Sequence, residues 1–369
     1  MPVTPQPRGV IELDRTPLFQ NTQQLLRRAE AEIRLIDRVR PTNGALEREA
    51  LIADWGKGKQ RAPRFEYAAR PSFGALRGAL EAAALAIGGL GALGAAYAAR
   101  AVELAREAHA ADHIGAPEFA ALCSERYLVE AGPDLDAAEA WTQAWINVEE
   151  EARSRQHRSD DRADPQSLFC ALERATAGLP VRVEVRADQV AAAAVGEGFV
   201  GVRPGLWHSE EATRRIVLHE VEGHVRPRIS AQREELGLFR VGSARSGDDE
   251  EGRALLLERG AGVLEGGRRR ELARRHFAAR EVRFGAPFQD IVRALLGFGH
   301  DIASAVEAVC RAQRGGGLAR ECVYLVALSR VTRAFEHEPE LEEYFERGRV
   351  SVEVARLCRA GFGFLAGAP

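Results

Sequence analysis

The sequence predicts an α+β protein, mostly helical, with a small sheet beside one central helix. Three observations carry this. Apolar residues recur at helical spacing over most of the chain. Strand patterns are confined to one region: Val181, Val183 and Val185 alternate in PVRVEVRA (180–187), and FVGVRPG (199–205) forms a second short run. The helix expected after these strands carries two histidines among acidic residues, in RRIVLHEVEGHVRP (214–227).

Bulk properties narrow the function classes. The 369 residues are 46% hydrophobic and 28% charged, with a formal net charge of -3. No global positive field would draw this chain to nucleic acid or to an anionic membrane. Lys57 and Lys59 are its only lysines. The five cysteines (Cys123, Cys170, Cys310, Cys322 and Cys358) form no C-x-x-C pair, so reduced thiols in a reducing compartment are expected. The opening MPVTPQPRGVIELD lacks a basic segment followed by an apolar one, and the expected location is cytoplasmic. The stretch 82–99 carries no charge but is mostly Ala and Gly, with Gly88, Gly89, Gly91 and Gly94. It reads as an internal helix, or a helix with a glycine break, rather than a membrane span.

In order, residues 1–20, rich in Pro, Gln and Thr, read as a flexible leader. A helical part is expected over 21–156. It opens with Leu25, Ile33, Ile36 and Val39 on one helix, is stopped by PTNG (41–44), and includes an extended or turn segment APRFEY (62–67). HRSDDRADPQ (157–166) is a polar loop opening the part expected to hold the site, 157–369, with both parts packed as one domain. After strand 180–187, DQVAAAAVGEG reads as a short helix and turn. Strand 199–205 ends at Pro204 and Gly205. Ser209 then offers an N-cap, with Glu210 and Glu211 in the first turn. Beyond residue 248 only helices are expected, punctuated by GAPF (285–288), RGGG (314–317) and RGRV (347–350).

The histidine pair raises a geometric question. Histidines four apart on an α-helix differ by about 40° in direction and can share a metal; five apart they differ by about 140°. His219 and His224 are five apart. They converge only where a π-bulge or a broken turn absorbs one residue. Gly223 makes such a distortion cheap, and Pro227 is expected to end the helix soon afterwards. A zinc hydrolase needs three protein ligands. The acidic cluster in SGDDEEGRALLLERGAG (246–262) offers the third: Glu251 is the first choice, with Glu250, Asp249 and Glu258 as the others. Glu220, beside the first histidine, is placed to act as the base that activates water.

Ordered matches along the chain resemble a family of zinc carboxypeptidases, which includes the microtubule-associated tyrosine carboxypeptidases and the bacterial flavohaemoglobin-expression-modulating proteins with a QEGLA motif. The family's H-E-I-G-T-H is matched by His219-Glu220-Val221-Glu222-Gly223-His224, and its Q-E-G-L-A by Glu250-Glu251-Gly252-Arg253-Ala254. Its P-x-N and P-x-F-x-Y resemble PTN (41–43) and PRFEY (63–67). Its G-A-x-F resembles GAPF, and its late R-G-G-G…T-K-D-x-x-Y resembles RGGGLARECVY (314–324). The matches run from about residue 20 to the C-terminus. The departures are specific: Gly223 for Thr, Glu250 for Gln, Arg253 for Leu, and Arg320 and Glu321 for Lys and Asp.

The resemblance implies a zincin-like metallopeptidase with one zinc on His219, His224 and Glu251, acting on the C-terminus of a peptide or protein and removing a terminal residue, aromatic ones included. It brings the late segment near the site. Arg314 and Arg320 are therefore candidates to receive the terminal carboxylate, and Tyr324 to donate to the developing oxyanion. FVGVRPG is expected to be the edge strand along which an extended peptide pairs. His208 and His300 read as ordinary histidines. Two rival readings fit the same residues: a zinc amidase acting on a small molecule, and a silent binding or regulatory protein that keeps the fold.

Overall fold

Helices make up most of the described chain, with two short β-ladders set among them. The computed structural model describes residues 8–69, 72–127, 131–148, 156–187 and 189–362. One large hydrophobic core is shared by helices before residue 147 and after residue 230. It runs from Ile11 and Phe19 through Leu80, Tyr97 and Phe119 to Phe239, Leu325 and Phe345. A second, smaller core lies between them in sequence. There Leu168, Phe169 and Leu172 pack with Val200 and Val202 under Ile216, Val221 and Val225 of the motif helix.

The strands are β1 (Gln156–Arg158), β2 (Arg182–Val185), β3 (Ala193–Gly196), β4 (Phe199–Val202) and β5 (Trp207–Ser209). β1 and β5 form an antiparallel pair. The other three form a sheet in the order β2-β4-β3, with β2 parallel and β3 antiparallel to β4. Two expectations change here. Residues 193–196, expected within a helix, are a strand: alanine favours helix intrinsically, but pairing with β4 overrides that weak preference. FVGVRPG, expected at the edge, contributes the central strand β4, so it cannot take up a further peptide. The edge strand that packs against the motif helix is β3.

The flexible leader also needs correction. Residues 1–7 lie outside the described residues, but Arg8–Asp14 and Pro17–Ile33 are helices with Ile11, Asp14 and Phe19 buried. Asp14 fixes this end. Its carboxylate accepts from the Tyr97 hydroxyl at 2.6 Å, from the Gly237 backbone N–H at 2.7 Å and from Gln23 Nε2 at 3.1 Å. All but Gln23 are remote in sequence, which hid the anchor.

The glycine-containing stretch 82–99 forms the meeting point of two helices, Gly74–Gly88 and Gly91–Asp112, packed as a hairpin. Among the described residues no helix is long and apolar enough to cross a membrane. The motif-like segments interlock. Asn43 donates to the Arg64 carbonyl at 2.8 Å and accepts from the Glu66 N–H at 3.0 Å, so PTN clamps PRFEY. The Tyr67 hydroxyl then accepts from the Gly315 N–H at 2.8 Å, tying PRFEY to RGGG. None of the five cysteines is joined to another in a disulfide.

Candidate metal centre

Ser209 caps the motif helix as expected, its hydroxyl accepting from the Ala212 N–H at 3.1 Å. The α-helix Glu210–Val217 passes into a π-helical segment, Leu218–Val225, and back into α-helix over Arg226–Ala231. Bonding from i to i+5 brings residues five apart onto one face, and the rings of His219 and His224 meet at 5.2 Å. Pro227 does not break the helix. It sits in the first turn after the wide segment, where its missing N–H leaves little unsatisfied.

Gly223 has a different reason from the one expected. A Cβ there would lie 2.7 Å from the Cβ of Ala254, so its lack of a side chain lets the motif helix approach the acidic helix Ser246–Gly260. Gly252 does the same on the next face, where a Cβ would lie 2.5 Å from the Ala327 backbone of helix Val323–His337. Arg253, between these contacts, donates to the Glu222 carbonyl at 2.9 Å and so caps a carbonyl of the widened turn.

The close packing brings Glu251 to the histidines. Ligand atoms of His219, His224 and Glu251 all lie within 4.8 Å of one another. Glu251 Oε2 is 3.3 Å from His219 Nε2 and 3.9 Å from His224 Nε2. Its other oxygen, Oε1, accepts from Arg320 Nη2 at 3.1 Å and from the Tyr324 hydroxyl at 3.2 Å, and Arg320 Nη1 also donates to that hydroxyl at 3.0 Å. One carboxylate oxygen is thus held by the protein and the other faces both imidazoles. Burial opposes its ionisation, but the hydrogen bond with His219 and the Arg320 charge hold the Glu251 carboxyl well below its usual range. Burial alone would lower His219, but hydrogen bonds with Glu251 and Glu258 outweigh it and raise the imidazole to about 9.

The other acidic residues of the helix divide their roles. Glu258, seven residues after Glu251 and so on the same face, accepts from His219 Nδ1 at 2.7 Å. It is fully buried and held by Arg268 through two bonds of 3.0 and 3.1 Å. Burial would raise its pKa, but Arg268 and His219 hold it down at about 2. Glu250 faces His224 Nδ1 at 3.5 Å and Arg349 at 3.3 Å. Asp249 turns away to Arg330 and to the Val352 N–H.

Glu220 is half-buried and makes no hydrogen bond or ion pair among the described residues. Tyr324 and Arg320 lie in the cluster. Arg314 is buried beside it, donating to the Arg311 carbonyl at 3.0 Å and pairing with Glu321 at 3.4 Å. His300 lies elsewhere, against Arg270 and Arg274. The residues missed in sequence are Arg268, Arg275 and Arg215. Arg215 and Arg268 stand within 4.0 Å of Glu258, and Arg275 lies over the Tyr324 ring, 4.9 Å from its centroid. Only Arg215 left a signal, its spacing of four residues before His219.

Two histidines and a carboxylate converge on one point of a mostly helical α+β scaffold, with a second carboxylate orienting the first histidine. Residues 55–360 match the family model described as microtubule-associated tyrosine carboxypeptidase, and the chain belongs to that family. Comparisons with curated proteins and with solved structures found no match.

Proposed function

We propose that the chain is a zinc-dependent carboxypeptidase that removes the C-terminal residue of a peptide or protein. The observation that carries this is the divided Glu251 carboxylate, with one oxygen fixed by Arg320 and Tyr324 and the other facing both Nε2 atoms. Zinc bonds to nitrogen and oxygen of about 2.0–2.2 Å set in a tetrahedron put ligand atoms roughly 3.3 Å apart. The separations of 3.3 and 3.9 Å are compatible with that spacing. Three ligands leave a fourth position, and the nitrogen and carboxylate donor set suits zinc better than calcium or magnesium. The motif helix packed beside a small sheet supports a zincin-like reading of the fold.

Bound zinc would supply Lewis acidity at that point, polarising a peptide carbonyl and easing deprotonation of water. The remaining chemistry belongs to the chain. Glu220, next to His219 and without a competing partner, takes the proton from the attacking water and passes it to the leaving amine. Tyr324 has one O–H, directed at Glu251 Oε1, and it donates to the oxyanion on the substrate carbonyl only once that proton turns away from the carboxylate. β3 offers an edge for an extended backbone. The family description speaks of tyrosine, so a peptide ending in tyrosine is the first substrate to offer.

The test has two parts. Elemental mass spectrometry on protein purified without chelator should give about one zinc per chain, strongly reduced in Glu251→Ala. Cleavage of a peptide ending in tyrosine should fall roughly 100- to 10,000-fold in Glu220→Gln with zinc retained. Cleavage that persists in Glu220→Gln would exclude this mechanism, and a zinc-free wild type would exclude the cofactor.

A further inference from the structure

Most arginines around the candidate metal centre already have carboxylate partners. Arg268 holds Glu258 and Glu271, Arg320 holds Glu251, and both Arg311 and Arg314 serve Glu321. Arg349 holds Glu30 and Glu250. Arg228, on helix Arg226–Ala231, makes no ion pair among the described residues. Its Nε is sealed from solvent without a partner. Its Nη1 makes one long contact, 3.5 Å to the Val195 carbonyl of β3. Its Nη2 has no partner among the described residues and is open to solvent. Burial, and then the Arg349 charge, hold its pKa below the usual guanidinium value, while the charges of Glu250, Glu30 and Glu220 oppose them. A sealed, unpartnered nitrogen is costly. The donor beside it is free, and a planar guanidinium suits a carboxylate.

Two observations put this guanidinium on the side where a substrate paired with β3 lies. The first is the direction of the Val195 carbonyl. β3 is antiparallel to β4, and the Arg203 N–H donates to the Ala192 carbonyl at 2.9 Å, one step beyond the Ala193–Val202 pair. Hydrogen-bonded and non-hydrogen-bonded pairs alternate along such a ladder. Ala193 and Val195 are therefore the β3 residues whose N–H and C=O groups point away from β4, along the free edge. Arg228 meets that edge at one of these two positions. The second observation is Glu220, the proposed base, whose charge acts on Arg228 together with that of Glu250. Arg228 follows His224 by four residues, and helical side chains lean toward the N-terminus, so it leans back toward the histidine. Ala193 and Val195 are two residues, about 6.8 Å, apart. A substrate backbone is thus held over few residues. At Val195 it meets a donor where an uncapped edge would offer an acceptor. A carboxylate answers that donor; the N–H of a continuing peptide does not.

We propose that Arg228 receives a carboxylate of the substrate's last two residues, either the chain terminus or an acidic penultimate side chain, and so sets the specificity of the site. This inference rests on the carboxypeptidase reading above, and its test separates the two. Two pairs of peptides are titrated calorimetrically into the zinc-loaded Glu220→Gln protein. N-acetyl-Ala-Ala-Tyr and its C-terminal amide differ in the terminal charge; N-acetyl-Ala-Glu-Tyr and N-acetyl-Ala-Gln-Tyr differ in the penultimate one. In one pair the charged member should bind roughly 10- to 100-fold more tightly, as expected for a charge-assisted hydrogen bond. Adding Arg228→Ala should abolish that preference and leave the affinity of the neutral member unchanged. The pair that responds identifies the source of the carboxylate. Arg228→Gln, closer in shape, serves the same purpose should the alanine variant fold poorly, and Arg228→Lys should keep part of the preference. The inference is overturned if neither preference is present in the Glu220→Gln parent, or if both survive loss of the guanidinium. It is also overturned if charged and neutral members weaken alike, since Arg228 would then only hold β3 to the helix. Hydrolysis by wild type is scored separately. An Arg228-dependent preference without cleavage would leave a carboxylate-binding site and remove the peptidase reading, whereas cleavage with neither preference dependent on Arg228 would do the reverse.

Discussion

The two histidines of the motif are held by unlike surroundings. His219 is gripped locally. Its Nδ1 donates to a fully buried Glu258, which Arg268 holds from helix Gly266–Arg283. The grip continues through Glu271 and Arg275 to the Tyr324 ring and back to Glu251, closing a circuit of side chains around one side of the site. His224 is held loosely and from afar. Its Nδ1 lies 3.5 Å from Glu250, too long for a good hydrogen bond, and has no other partner among the described residues. Glu250 bonds to Arg349, and Arg349 to Glu30 on helix Pro17–Ile33, so this chain leads across the molecule. A ligand whose far nitrogen is bonded has its tautomer and ring plane fixed in advance; one whose far nitrogen is free must be ordered by the metal itself. On this reading, His219 anchors the site and His224 closes it.

The largest test of that contrast is Glu258→Gln. Outer partners of metal-bound histidines typically contribute about 10- to 100-fold in affinity. Zinc affinity, measured by competition with a chromophoric chelator, should fall within that range, because the charge orienting His219 is lost. A change of less than threefold would mean that the circuit serves folding and not the metal.

A smaller effect is expected at the contact that joins the two surroundings. In Gly223→Ala the new methyl would meet the Ala254 Cβ at 2.7 Å. Neither helix can yield without moving Glu251 from the histidines, so about 1–3 kcal/mol of stability should be lost, read from urea denaturation. Zinc affinity should fall in step, since the same displacement separates the ligands. Stability lost with affinity intact would show that the approach of the two helices is not what sets the site.

Much of this centre was legible in sequence, and the exceptions have physical causes. The histidine spacing demanded a widened turn, and Leu218–Val225 is π-helical. Ser209 capped the helix from its chemistry alone. Glu251 stood out within its acidic cluster, and Glu258 was among the alternatives, although its part in holding a histidine was not evident. Arg268, Arg275 and Arg349 could not be singled out, because in a chain so rich in arginine the useful ones are distinguished only by which carboxylate they meet. The strand at 193–196 was hidden by alanine, whose helix preference was the only local signal, and the helical end at 8–20 by an anchor whose main partners come from Tyr97 and Gly237. Local chemistry was readable; pairings made across the fold were not.

The smallest effect is expected at Glu250, and it tests the loose side of the comparison directly. The family motif carries Gln at this position. In Glu250→Gln the amide oxygen can still accept from Arg349, and Arg349 keeps its bond to Glu30. The contact with His224 Nδ1 is long, at 3.5 Å, so little directional bonding is lost with the charge. Zinc affinity should therefore change by less than about threefold, below the roughly tenfold minimum typical of a true outer partner. Stability should drop by only about 1 kcal/mol, the difference between a charged and a neutral acceptor. Run beside Glu258→Gln in the same competition assay, the pair reads the asymmetry as a ratio. Equal losses would mean that Glu250 closes onto His224 once the metal is bound, and that the unequal hold belongs to the metal-free protein alone.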